Sequence, residues 1–347
     1  MNKINFLFSI LLILFPESIL YGQSFSNLLD YVRLDLVNRA LVFLPQRIDT
    51  DLLQLCDRMS GQNEKYAFNK AEIAYFIFVW IQRNIRLTYS NNTKYNQSSD
   101  IIFKNGKGRH NDIALLFKEM CNQFGIEAGI ISGYVKFSKR IENDREWNYI
   151  KLNNTYYLID VSYKDWFRNK EEIYIYYDYL YVYFGTKPEI FMRSHFPKET
   201  KWQLLNNSIS LKQFLSMAYV TQWFYILGFK TISPNSFLIS DKFINFNLTF
   251  DGNFIFKNIE CVYFDFFGKE DSIKCKYNLV SDRTMNFIIN SISENMNYIS
   301  IYVAEYNPTI YYMTFLSRIV SFKIDHKNND NSLSKDNNYF ENQTTFE

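Results

Sequence analysis

The chain has 347 residues, 47% of them hydrophobic and 21% charged, and a formal net charge of +2. Acids and bases so nearly balanced give no field for a nucleic-acid or membrane partner. The 33 Phe and 27 Tyr exclude a chain too polar to build a core, and the length predicts about two domains.

At the N-terminus, Lys3 precedes an apolar run from Ile4 to Phe15, which Pro16 and Glu17 interrupt. The run falls short of the ~20 residues needed to cross a bilayer as a helix and matches the core of a signal peptide. Residues 1–22 are therefore expected to be a signal peptide, and the protein to be secreted or otherwise extracytoplasmic. The alternative is an N-terminal membrane anchor, because Leu20 is not the small residue that cleavage near Gly22 calls for. No later segment is long and apolar enough to span, so no stable membrane span is expected after signal removal.

Residues 23–49 are expected to form an N-terminal helical segment. The spacing of Leu28, Leu29, Val32 and Leu36 extends the helical reading over 26–60. A clearer helix covers 69–85, with Asn69 as N-cap and Glu72 three residues on. Trp80 and Ile81 make it apolar on most sides, which predicts deep burial. A polar loop follows.

The stretch GKGRHNDIALLFKEMCNQFGIEAGIISGY, 106–134, reads as loop, helix and strand. Ile113, Leu116, Phe117, Met120, Cys121 and Phe124 recur at helical period, and Gly125 stands where a C-cap belongs. EAGIISGYVK reads as a strand, and Asn153-Asn154 joins EWNYIKL to TYYLIDV in a hairpin pattern. Beyond residue 205, Ser210 and Gln213 form a capping box for one short helix. The runs FNLTF, NFIFKNI, CVYFDFF, MNFIINSI, YISIYVA and TIYYMTFL then predict an antiparallel sandwich. Residues 326–347 have no apolar spacing and are expected to be disordered.

The four cysteines show no CxxC spacing and no nearby His, so no metal site and no cofactor are expected. Cys261 and Cys275 flank the turn FGKED; on a hairpin they would face one another, and export would permit a disulfide. Cys56 and Cys121 lie on apolar helices and read as buried thiols. The sequons at Asn91, Asn96, Asn153, Asn206, Asn247 and Asn342 suit a secreted protein, although an Asn-rich chain also makes them by chance.

Three pieces in this order resemble the papain-like and transglutaminase cores, and specifically the transglutaminase-like domain of the kyphoscoliosis peptidase type. In that family a helix opens with Gly-x-Cys and continues through Ala-x-Leu-Phe to Gly-Ile. A first strand then carries His-Ala-Trp-Asn, and a second ends in Asp. This chain has Gly108, Ala114, Leu116, Phe117, Cys121, Gly125, Ile126, Gly133 and Tyr134, then Trp147, Asn148, Leu158, Ile159 and Asp160. Upstream, Trp80, Ile81, Asn84 and Ile85 resemble the family's Trp-Ile-x-x-Asn-Ile helix, and residues 183–205 resemble its link to a following β domain.

The resemblance implies an α+β fold: a papain/transglutaminase-like core of buried helices on an antiparallel sheet over 50–205, then an antiparallel β-sandwich-like domain over 206–325. It also implies a thiolate favoured by a helix N-terminus, a His base and an orienting Asp. The departures fall on that chemistry. His110 occupies the Cys position, Arg145 the His position, and only Asp160 agrees. An imidazole is no soft nucleophile, and a guanidinium titrating above ~12 accepts no proton. Cys121 lies ~16 Å along the helix from His110 and cannot replace the thiol.

The expected function is that of a catalytically inactive transglutaminase-like protein that binds a protein or peptide partner or serves structurally. The alternative is an active cysteine-type peptidase or protein-glutamine acyltransferase with an unconventional site. His110 and Arg145 at a helix N-terminus also raise an anion-binding reading, which Asp160 would oppose by pairing with Arg145. A metal on His110 and Asp112 is disfavoured, since residues two apart on a helix diverge. His195 in SHFP is expected to make a structural contact, Trp80 and Trp147 to be core residues, and the Tyr-rich run 171–184 to serve packing.

Overall fold

Asn69 opens the most deeply buried helix among the described residues. Its side chain accepts from the Glu72 N–H at 2.9 Å, and the Glu72 carboxylate accepts from the Asn69 N–H at 2.8 Å. From this box the helix runs from Lys70 to Asn84, and every residue from Ala71 to Gln82 is buried. A helix apolar on all sides can persist only if other elements surround it.

The computed structural model describes residues 28–44, 50–88, 97–137, 141–162, 183–221, 224–225, 228–233, 235, 238–240, 244–250, 256–265, 270–273, 276–289, 296–305 and 316–325. The signal-peptide reading of 1–22, the tail at 326–347 and all of the Tyr-rich run except Tyr183 and Phe184 lie outside these residues. The chain divides into two compact units, Met1–Phe214 and Leu215–Glu347.

In the first unit the continuous helix expected over 26–60 is replaced by a 3-10 turn at Leu29–Tyr31, α1 (Leu34–Leu41) and α2 (Leu52–Tyr66). The interruption has identifiable causes. Val32 is extended, and the Arg33 N–H and guanidinium are both drawn to Glu72. Asp51 then caps a new helix through Gln54 N–H at 2.8 Å. There follow α3 (Lys70–Asn84), β1 (Arg86–Leu87), α4 (Ser99–Asn105), β2 (Lys107–Gly108) and α5 (His110–Gln123). β1 and β2 pair in parallel and deliver the chain to the start of α5.

α5 ends as its sequence requires. Gly125 takes a left-handed φ of 63°, and Ile126 N–H returns to Cys121 O at 3.0 Å. The chain then enters β3 (Glu127–Lys136), β4 (Ile141–Leu152) and β5 (Thr155–Ile159). Asn153 and Asn154 both have positive φ, 48° and 63°, the two-residue turn whose twist matches a hairpin. β6 (Phe184–Thr186), α6 (Pro188–Phe191) and β7 (His195–Pro197) complete a five-stranded sheet in the order β6-β5-β4-β3-β7. All of its pairings are antiparallel.

Asn148 bolts α5 to this sheet: its buried amide donates to Ala114 O at 2.9 Å and Gly129 O at 3.1 Å. Gly133 can only be glycine, because an added Cβ would stand 2.2 Å from Phe196 O on β7 and 2.5 Å from the Trp147 ring. Buried helices on an antiparallel sheet are the expected α+β core. Near the end of the unit, Ser210 and Gln213 box the start of α7 (Leu211–Ser216).

The second unit is strand-built: β8 (Tyr219–Val220), β9 (Phe229–Ser233), β10 (Leu238–Ser240), β11 (Ile244–Phe250), β12 (Phe256–Asp265), β13 (Glu270–Ile273), β14 (Lys276–Ser281), β15 (Thr284–Ile289), β16 (Met296–Glu305) and β17 (Leu316–Asp325). One sheet has the order β10-β17-β16-β12-β13 with β8 on β17, and the other β14-β15-β11-β9. Phe246 of the second packs on Phe322 of the first at 5.1 Å, as in a sandwich.

Two expectations change here. NFIFKNI and CVYFDFF merge into the single strand β12, continuous because its partner β16 is equally long. The sandwich is not wholly antiparallel, since β10 pairs β17 in parallel. The TIYYMTFL reading, apart from Leu316 at the start of β17, lies outside the described residues. Cys261 lies opposite Ile273 on the expected hairpin, and the Cys261–Cys275 disulfide reading falls outside the described residues.

Glu72 ties the first unit together. Its carboxylate has no exposure and accepts from the backbone of Arg33 and Asn69 and from the Arg33 guanidinium. Arg33 is half exposed, so the loss is dominated by the two orphaned N–H groups. Glu72→Ala is expected to cost about 2–3 kcal/mol, read by urea denaturation. A cost under about 0.5 kcal/mol, the level of an ordinary surface change, would contradict this account.

Candidate functional site

The site begins with the backbone around α5. Asp112 is buried and turns back to accept from the Arg109 N–H at 2.9 Å. Gly108 makes room for it: a Cβ at 108 would meet the Asp112 Cβ at 2.8 Å. This places His110 in the first turn of α5, facing the middle of the sheet. Its Nδ1 accepts from the Glu146 N–H on β4 at 3.2 Å, so in the neutral ring the proton resides on Nε2. Burial, then the positive charge of Arg145, pushes the imidazole down to about 4.

Arg145 and Asp160 both act electrostatically on His110, so β4 and the end of β5 bring the three positions together. Their partners differ from the expected ones. The Arg145 side chain is buried, and its Nη1 meets Glu142 Oε2 at 2.9 Å while Nη2 donates to Ser162 Oγ at 3.4 Å. Among the described residues its Nε has no hydrogen-bond partner. The Arg145–Asp160 ion pair that would oppose anion binding is not formed among the described residues.

Asp160 instead faces His195. His195 Nε2 stands 3.1 Å from Asp160 Oδ2, and His195 Nδ1 stands 2.7 Å from Ser194 Oγ. Asp160 Oδ1 accepts from both the N–H and the hydroxyl of Ser162, at 2.8 and 2.7 Å. Burial opposes the charge on Asp160, but the hydrogen bond from His195 and the nearby Arg145 outweigh it and hold the carboxyl below its ordinary value. Burial also lowers His195, and Asp160 offsets that only in part. The consistent state is an aspartate beside a neutral imidazole: Nε2–H donates to Asp160, and Nδ1 accepts from the Ser194 hydroxyl.

His195 reaches this place because β7 pairs with β3, setting His195 opposite Val135. Phe191 lies tilted against the ring at 4.2 Å, and Trp147 meets it edge-on at 5.1 Å. The structural contact expected of His195 is therefore a buried one to Asp160. Ser162, Ser194 and Glu142 were not singled out in the sequence. Only the Asp-x-Ser spacing at 160–162, where a short side chain bonds backbone two residues on, offered a local signal.

Both described cysteines with resolved surroundings are poor nucleophiles. Burial raises the Cys56 thiol to about 11 and pushes Cys121 well above its ordinary value; both are buried. An anion at His110 and Arg145 would meet a neutral ring above about pH 4 and a guanidinium already engaged by Glu142. Among the described residues, no group of three His, Cys, Asp or Glu side chains could hold a metal.

A helix whose N-terminus meets an antiparallel sheet, with an acid at the end of the next strand, defines a papain-like core of the transglutaminase type. Residues 54–167 match the model of the transglutaminase-like superfamily, and over these residues the chain is similar to that superfamily. The chain is 26% identical over 213 residues to the kyphoscoliosis peptidase of Mus musculus, covering 56% of this chain and 32% of that protein. It is 27% identical over 176 residues to the kyphoscoliosis peptidase of Homo sapiens, covering 47% and 26%. Cytokinesis protein 3 of Schizosaccharomyces pombe is 23% identical over 233 residues, covering 65% of this chain and 25% of that protein. The chain thus spans a third or less of the length of these relatives.

Two histidines, His195 buried and His110 half-buried, impose a pH dependence. An unfolded histidine titrates near ~6.5, whereas folded His110 titrates at about 4 and His195 is also lowered. Between those values the unfolded chain binds the additional protons. Stability is therefore complete above pH ~6.5 and falls as the pH drops toward about 4, with a limiting slope of about 1.4 kcal/mol per pH unit for each histidine. Asp160 adds its own loss below ~3.9. His110→Gln is expected to flatten the stability profile between pH 6.5 and 4.5, measured by denaturant titration at each pH; an unchanged slope would contradict the neutral ring.

Proposed function

We propose that this protein is a transglutaminase-like module that has kept the core and lost the acyl-transfer chemistry, and that it works by binding a protein or peptide partner. The observation that carries this reading is His110 at the start of α5. The family's nucleophile position holds a neutral imidazole anchored to the Glu146 backbone. The family's base position holds Arg145, buried and paired with Glu142. Acyl transfer by this route needs an attacking thiolate and a proton acceptor, and neither position supplies one.

Secretion belongs to the same proposal. Its support is the short apolar run after Lys3 and the six sequons. Among the described residues, no helix is long and apolar enough to cross a membrane.

The active-enzyme alternative has one observation in its favour, the Ser194–His195–Asp160 chain. Serine, imidazole and carboxylate follow the order of a hydrolase triad. All three are buried, with Ser194 only 2% exposed, so the hydroxyl is closed to a substrate in this conformation.

Purified full-length protein is expected to incorporate no amine donor into a glutamine-containing substrate and to take no label from either a thiol-directed or a serine-directed active-site probe. Labelling abolished by a single Cys or Ser substitution would overturn the inactive reading. A gain-of-reactivity variant tests the position itself. His110→Cys places a thiol in the first turn of a helix beside two arginines, where the thiolate is favoured. Its alkylation near neutral pH should exceed that of a cysteine at an exposed loop site by about ten-fold, and equal rates would remove position 110 from the site.

A further inference from the structure

The inner face of the second sheet runs out in the open. Side chains directly opposed across paired strands share a face, so the register defines rows. One row passes from Phe246 on β11 through Phe287 on β15 to Tyr277 on β14. The next passes from Ile232 on β9 through Leu248 and Met285 to Leu279 on β14. Every member before β14 is at most 4% exposed, yet Tyr277 and Leu279 are 46% and 63% exposed. Phe246 stacks on Phe287 at 4.8 Å, and Tyr277 leans on the same Phe287 ring at 5.9 Å. The core rows therefore continue to the edge and stop there uncovered. The row between them lies on the opposite face and is polar: Asn247, Asn286 and Asn278 are opposed, and Asn286 donates to Asn247 at 2.8 Å. Among the described residues β14 pairs with β15 alone, and an edge strand presents backbone groups to an extended chain beside it.

We propose that an extended peptide segment of a partner protein adds to β14 as a further strand, carrying two apolar side chains with a polar one between them. The pattern follows from the edge itself. Tyr277 and Leu279 lie two apart on the inner face, so the added strand continues each apolar row by one side chain. The residue between them falls beside Asn278 on the polar face. The slip in the β14–β15 register comes after Leu279, which leaves both row ends on the regular part of the strand. A second copy offers the same pattern only through its own Tyr277 and Leu279, and its slip would then lie opposite Lys276; a regular partner strand brings no such break. Backbone hydrogen bonds supply the attachment and the two apolar side chains the selectivity, as in strand addition generally. The inference gives a place and a chemistry to the peptide binding proposed above and rests on that reading. Covering two side chains on a short edge stabilises weakly, so the expected dissociation constant is submillimolar.

The test is a titration of the full chain with the labelled, end-blocked peptide Lys-Thr-Val-Thr-Val-Thr-Lys. Fluorescence anisotropy reads binding, and hydrogen exchange of β14 reads its place. Saturable binding is expected, with slowed exchange at Tyr277–Leu279, and the same-composition control Lys-Thr-Thr-Val-Val-Thr-Lys is expected to bind more weakly. Leu279→Ser and Tyr277→Ser, checked for folding by circular dichroism, should each weaken binding by about five-fold or more. Asn278→Ser, on the polar face, should leave it within about three-fold. No saturation by about 1 mM peptide, equal binding of the control, or unchanged affinity in Leu279→Ser and Tyr277→Ser would overturn the proposal. So would exchange at β14 that is already slow without peptide, whether through another segment of the chain or a second copy. Acyl-transfer assays on the same preparation read the inactive reading separately: absent binding with absent acyl transfer removes this inference alone.

Discussion

A carboxylate with no exposure to water must be compensated from within, and the first unit is organised around doing so for Asp160. The donors are the Ser162 backbone and hydroxyl and the His195 ring, with the positive charge of Arg145 nearby. Each comes from a different place in the chain, so satisfying the charge holds together the end of β5, the segment after it, β7 and β4. Removing any donor would leave buried charge short of partners, which costs more than the hydrogen bond is worth. A buried acid of this kind acts as a registry pin for the sheet.

The same arrangement underlies the proposal that the acyl-transfer chemistry is lost. In the transglutaminase-type logic the strand acid orients a histidine, and that histidine arms a thiol. Here the acid still holds a histidine, but one supplied by β7, whose other nitrogen is taken by Ser194. The Arg145 guanidinium on β4 is met by Glu142. His110, in the first turn of α5, turns its lone pair to the Glu146 backbone. His110, Arg145, Asp160 and His195 each have an internal partner, as side chains of a structural core do and a poised nucleophile does not.

Aromatic packing supports this reading. Trp147 and Phe191 close over His195 and exclude water from the pair with Asp160. Dry surroundings strengthen the hydrogen bonds they enclose and raise the cost of charging the imidazole. The outcome is a neutral ring whose role is geometric. On the opposite side of the same sheet strand, Asn148 uses its amide to fix α5. Two adjacent residues of one motif thus secure the sheet to β7 and to the helix.

The sequence by itself determined whatever depends on neighbours along the chain. The capping boxes at Asn69 and Ser210, the stripe of α5 with its left-handed Gly125, and the Asn153-Asn154 turn all act within a few residues and were readable as patterns. So was the transglutaminase-like core, because its motifs keep their separations; the proposal that His110 and Arg145 occupy its nucleophile and base positions rests on those same separations. The sequence misled where a distant partner intervened. Glu72 pulls Arg33 out of a helix that periodicity would have continued, and β10 joins β17 in parallel across most of the second unit. Only the tertiary structure decided who partners Asp160. That choice rests on β7 lying beside β3, a pairing between strands some sixty residues apart that no local periodicity encodes. Side-chain charge can be read from a residue's identity, but whether it is spent on a neighbour or left for a ligand depends on which elements the fold brings into contact.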